Sequence, residues 1–182
     1  MPITPYHFGP SGFVGLLFRK WIDIPVFVLA NVVVDVEVLL IWFLDLGWPR
    51  HRYCHTLLVG AAVGAAWGLT AYPLRHFFRR LMQIFRMPYQ TGFGKMVVSG
   101  ILGAWCHVII DAIYHRDVQM FWPSSRAPLY GLISKQQVET MCLIFFIPAI
   151  ILYVIAAVSY AKSKSAHQGK VETGRPDNLA SR

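Results

Sequence analysis

The apolar residues of this 182-residue chain gather into four long blocks, 24–44, 55–74, 96–114 and 140–160. Each is close to the roughly 20 residues that an α-helix needs to cross a bilayer core. Polar or turn-forming stretches separate them: Asp45-Leu46-Gly47-Trp48-Pro49-Arg50, an arginine-rich segment over 75–94, and residues 115–139. A shorter apolar run around Phe13–Phe18 follows a proline-rich start and ends in Arg19-Lys20. Ten or so apolar residues are too few to span. The charge also follows this run instead of preceding it, and no small-residue cleavage site appears, unlike a secretory signal. The pattern predicts an all-α polytopic membrane protein with four transmembrane helices and a retained short N-terminal helix, re-entrant or interfacial. Residues 1–161 form one helical domain in this reading, and residues 162–182 form a polar, disordered cytoplasmic tail. Gly60, Gly64 and Gly68 fall on one face of the second block, where small residues let helix backbones approach closely in lipid. Pro148 is expected to kink the fourth.

Composition agrees. Hydrophobic residues make up 55% and charged residues 14%, against about 25% charged in an ordinary soluble domain. The net charge of +8 is therefore read as topology. On alternate sides of the four spans, Lys and Arg divide into twelve and five, and the richer side should be cytoplasmic. Arg75, Arg79, Arg80 and Arg86, interleaved with Phe77, Phe78 and Phe85, should lie on the anionic leaflet. Nucleic acid is not expected as a partner. Cys54, Cys106 and Cys142 stand apart, with no disulfide framework or CxxC pattern.

The exceptions to the pattern carry the chemistry. Of nine acidic residues, Asp35, Glu37 and Asp111 fall inside spans. A charge near the bilayer centre costs about 2.5–3.5 kcal/mol or more, and no Lys or Arg lies within 24–44 or 96–114. Compensation must come from histidine, a proton or a metal. His51 and His55, and His107 and Asp111, are each four apart, a spacing that puts both members on one helical face. Imidazole and carboxylate suit zinc first, with manganese or iron as alternatives. Asp35 and Glu37, two apart, point to opposite sides of a regular helix. Unless the helix is locally unwound so that both bind one site, one is a ligand and the other a supporting or basic group, with Asp35 the preferred ligand. If Arg19 and Lys20 sit at the membrane surface, the short N-terminal helix lifts His7 towards the same depth. His115, Asp117 and Trp122 follow the third span and could line an entrance or simply sit at the interface.

These residues resemble a known pattern. Asp35-Val36-Glu37, His51-Arg52-Tyr53-Cys54-His55-Thr56 and His107-Val108-Ile109-Ile110-Asp111, with His7 near the start, are similar to the bacterial and archaeal family of membrane-bound metal-dependent hydrolases that includes the LexA-regulated inner-membrane member. The likeness covers residues 1–123. The family commonly carries Asp where Glu37 stands, and its two histidines are usually five apart. A remoter likeness is to the all-helical zinc phospholipase C and single-strand nuclease group. The resemblance implies an inner-membrane hydrolase acting on a phosphoester.

The leading expectation is thus a metal-dependent hydrolase of a phosphoester or lipid headgroup. Its divalent metal is held by Asp35, His55, His107 and Asp111 and completed by His7 or His51. Glu37 is the expected general base, because desolvation raises a carboxylate's pKa. Its partners would be the lipid bilayer and a phospholipid or lipid-linked substrate. The alternative is a proton- or cation-relaying transporter or channel built on Asp35, Glu37, His55 and Asp111, which would need homo-oligomerisation to form a pathway.

Overall fold

The computed structural model describes residues 4–49 and 51–173. It is helical throughout, with no strand among the described residues. A 3-10 turn, Thr4–His7, leads into α1 (Phe8–Leu17). It is followed by α2 (Ile24–Phe43), α3 (Leu57–Ala71), α4 (Arg75–Ile84), α5 (Phe93–Tyr114), α6 (Lys135–Ile144) and α7 (Phe146–Thr173). Four helical stretches are long and apolar enough to cross a membrane: Ile24–Phe43, Leu57–Ile84, Phe93–Tyr114 and Lys135–Ser165. The protein is a polytopic all-α membrane protein, with the short N-terminal helix packed inside the bundle.

The centre of the bundle is α5. Its most intimate neighbour is α3, and glycine makes the approach possible: a Cβ on Gly68 would stand 2.6 Å from the Met96 carbonyl oxygen, and one on Gly64 would fall within the backbone of Gly100. The packing seam expected along the second block is therefore real, and its partner is α5. On the other side, α2 lays Phe27 and Ala30 against Gly103. Val34, Ala104 and Val108 continue this core towards one end of the bundle. The lipid-facing surface is apolar, with Leu39, Trp42 and Phe43 exposed at one end of α2 and Ile147, Ile150 and Ile151 exposed on α7.

Several boundaries differ from the hydropathy blocks. The second block was expected to be helical from His55, with His51 and His55 on one face. Instead α3 starts at Leu57, with Thr56 accepting from the Val59 N–H as its cap, and residues 51–55 are irregular. Polar and β-branched residues favour a cap over a helix interior. The fourth span begins earlier, at Lys135, where Ser134 and Gln137 form a reciprocal capping box. The span is broken at Phe145, just ahead of Pro148, which cannot donate the N–H that a continuous helix requires there. Helix α7 runs on into the polar stretch as far as Thr173, through Ala, Lys, Gln and Glu, which are good helix formers. Residues 174–182 of the expected tail lie outside the described residues, as does Arg50.

The two ends of the bundle differ chemically. One end carries α4, whose Arg75, Arg79 and Arg80 flank the buried Phe78 and Met82. There Asp23, 1% exposed, caps α2, accepts from Tyr89 at 2.8 Å and from Thr91, and donates its own N–H to Ser99 at 2.7 Å. The opposite end gathers the histidines.

A candidate metal centre

Four segments converge at that end. Asp35 and Glu37 come from the second half of α2. His107 and Asp111 come from the last turns of α5. His51 and His55 come from the irregular segment before α3, and His7 closes the cluster from the turn before α1. Asp35, His55, His107 and Asp111 each offer one ligand atom, all within 4.8 Å of one another. His107 Nε2 lies 3.2 Å from both Asp35 Oδ1 and Asp111 Oδ2. His55 Nε2 lies 3.5 Å from Asp35 Oδ1 and 3.6 Å from Asp111 Oδ2. Two atoms each about 2.0–2.1 Å from a tetrahedral zinc stand about 3.3 Å apart. The observed separations would suit ligands around one ion.

The residues reach this arrangement by different routes. His107 and Asp111 use the helical i, i+4 spacing as the sequence implies. His55 does not use a shared helical face with His51. Glu37 positions it instead, accepting the backbone N–H of Arg52 (3.3 Å), Tyr53 (2.8 Å) and Cys54 (2.9 Å) and so folding residues 52–54 over its carboxylate. His55 Nδ1 stands 3.3 Å from Glu37 Oε2. An ionised carboxylate only accepts, so Nδ1 carries a proton. Nε2 faces two carboxylate oxygens, an arrangement that calls for positive charge between them, from a second ring proton or from a bound cation.

The polar accounting agrees. The ring nitrogens His7 Nδ1 and Nε2, His55 Nε2, and His107 Nδ1 and Nε2 are buried without a hydrogen-bond partner. His7 Nε2 is only 3.0 Å from Asp111 Oδ1, and there and at His107 the distance suffices but the angle does not. The Nε2 atoms of His7, His55 and His107 thus share the two carboxylates of Asp35 and Asp111 as their nearest polar neighbours, and charge placed among them would satisfy nitrogen and oxygen together. A cation accepting imidazole lone pairs fits this donor set of nitrogen and oxygen.

Glu37, expected as the base, has both oxygens engaged by amides and His55 and lies outside the ligand group. Sequence spacing could not show this, because its partners are backbone groups of a loop. Among the remaining ligand candidates, His7 sits against Asp111 and stacks on His107, with ring centroids 4.4 Å apart. His51 is brought to 3.8 Å from Asp111 Oδ2 but belongs to a second, outer group with His115 and Asp117, whose ligand atoms also lie within 4.8 Å of one another. His51 Nδ1 is 3.0 Å from Asp117 Oδ2, and His51 also donates its backbone N–H to the same oxygen. Burial would raise the Asp117 carboxyl, but this hydrogen bonding from His51 holds it below the usual carboxylate range. Burial, reinforced by the neighbouring His51, pushes His115 down to about 4, so its imidazole is neutral at physiological pH.

Tyr114 went unrecognised in the sequence, although it stands three residues after Asp111 on the same helical face. Its hydroxyl donates to Asp111 Oδ1 at 2.8 Å. Trp122 reaches the same end and meets Tyr53 edge to face, with centroids 6.3 Å apart. Cys54 contributes only its backbone N–H, and His76 is exposed at the basic end. Neither a family model, nor a characterised protein, nor a solved structure matches the chain. What the centre does therefore rests on its own geometry.

Proposed function

We propose that the protein is a membrane-embedded metal-dependent hydrolase that cleaves a phosphoester, in a phospholipid headgroup or a lipid-linked substrate, at the membrane face opposite the arginine-rich helix α4. The observation that carries this reading is the His55 and His107 Nε2 pair, without hydrogen bonds and turned on two carboxylates at ligand-to-ligand distances. Asp35, His55, His107 and Asp111 would hold a divalent ion, zinc before manganese or iron, with His7 beside them. When bound, such an ion supplies Lewis acidity, lowering the pKa of a coordinated water towards about 7 and polarising the scissile bond.

The protein's own groups then have distinct tasks. Glu37 fixes the tautomer and direction of His55, a support that metal sites commonly provide through a carboxylate. Tyr114 holds Asp111 from behind. The buried wall of Val34, Ala104 and Val108 closes the inner side of the cluster. His115 and Asp117, partly exposed, border the side through which a polar headgroup would enter from the interface. The excess of Lys and Arg at the far end supports placing that end in the cytoplasm and the site on the outer face of a bacterial or archaeal inner membrane.

A second reading has its own observation. The rings of His7, His107, His55, His51 and His115 form a continuous series with successive centroids 4.4, 5.3, 4.7 and 4.0 Å apart, which is the make-up of a proton relay. It opens at one end only: α2 from Ile24 to Val34 and α3 throughout contain no Asp, Glu, His, Lys or Arg. That one-sidedness favours a site over a pathway.

The test is to purify the chain in detergent without chelator, measure bound metal by elemental analysis, and follow headgroup release from phospholipid vesicles by mass spectrometry. Stoichiometric metal and chelator-sensitive release, both lost in His107→Ala and Asp111→Asn, are expected. Metal-free wild-type protein would overturn the reading. Proton flux in proteoliposomes without hydrolysis would support the relay.

A further inference from the structure

We propose that His51, His115 and Asp117 bind a second divalent transition-metal cation at the mouth of the cluster, separate from the one assigned to Asp35, His55, His107 and Asp111. This rests on reading the inner cluster as a metal centre. The three residues come from two segments that are far apart in sequence, and each offers a ligand atom within 4.8 Å of the others. Asp117 turns its two oxygens to different imidazoles: Oδ2 is 3.0 Å from His51 Nδ1, and Oδ1 is 4.0 Å from His115 Nδ1. The two rings stack at 4.0 Å. A carboxylate whose only task was to orient His51 would not need the second imidazole. Two imidazoles with one carboxylate make a donor set typical of such cations.

The two positions differ in access. Side-chain exposure is 37% for Asp117 and 21% for His115, against 0% for His55 and His107 and 3% for Asp111. Three protein ligands with solvent on one side leave coordination positions open, as sites that act on substrates do. A phosphoryl oxygen is the class of ligand that would take them. His51 Nε2 and Asp111 Oδ2, 3.8 Å apart, connect the two groups, so one substrate can touch both ions. The outer ion should exchange with solvent faster and leave first on chelation.

The experiment is a titration of Co²⁺ into tag-free, chelator-stripped protein, followed by visible absorption and elemental analysis. Two equivalents per chain are expected for the wild type. One is expected for Asp117→Asn and for His115→Gln, with the remaining ion bound as in the wild type. One equivalent in the wild type, or two retained by both variants, overturns the second site while leaving the inner centre in place. No bound cobalt overturns both. The wild-type stoichiometry decides the matter even if a variant fails to fold.

Discussion

Replacing Glu37 by glutamine separates two roles for this residue, because a base and a positioning group respond differently. In the structure Glu37 Oε2 faces three donors, the N–H groups of Arg52 and Cys54 and His55 Nδ1, while Oε1 takes Tyr53 N–H. Glutamine would keep its oxygen towards the three donors and turn its NH₂ onto the Tyr53 amide. Three charge-assisted bonds become neutral, at about 0.5–1 kcal/mol each, and one donor is orphaned at about 1 kcal/mol. The folded protein should lose about 2.5–4 kcal/mol as a result. The His55 ring is then less firmly held, and loss of such support typically costs 10–100-fold in metal affinity. That fold-change corresponds to about 1.4–2.7 kcal/mol. Competition of the purified variant against a chromophoric chelator measures the affinity, and thermal unfolding in detergent measures the stability. Glu37→Gln that binds metal as tightly as the wild type, yet has lost hydrolysis, would refute the positioning role and restore Glu37 as the base.

Other expectations follow from single contacts. Gly64→Leu should lower stability by about 3 kcal/mol or prevent folding, since its side chain would enter the Gly100 backbone. Earlier thermal reaction of the buried Cys142 with a thiol dye reads this out. Asp23→Ala removes the α2 cap together with the Tyr89 and Thr91 partners. It should cost about 2–4 kcal/mol while leaving metal affinity unchanged, which shows that the two ends are independent. His115 is neutral in the folded protein down to about 4 but takes up a proton near 6.5 when unfolded. The unfolded state therefore binds more protons in this window, and stability should fall as pH drops from about 6.5 to about 4. In metal-stripped protein, His115→Gln should flatten that part of a melting-temperature profile, and an unchanged slope would refute the assignment. Tyr114→Phe should weaken metal binding several-fold through Asp111 without altering its stoichiometry.

Much of this protein is dictated by its sequence alone. Blocks of some 20 apolar residues have few alternatives to membrane helices, because only a helix satisfies its own backbone in lipid. The spacing of Gly60, Gly64 and Gly68 marks a close helix contact for the same kind of local reason. Asp35, Asp111 and His107 stand out as candidate ligands because charge and imidazole are expensive where they lie, and His107 and Asp111 share a face through helical periodicity. The tertiary structure decided what periodicity does not reach. The His51–His55 spacing suggested a helical pair, but the segment is irregular and its order comes from Glu37, on another helix, through backbone amides. Asp117 and Tyr114 carry no expensive burial signal, so only their proximity to His51 and Asp111 shows what they support. Hydropathy records the cost of placing a residue at a given depth, whereas the direction of a lone pair depends on which distant segments pack beside it.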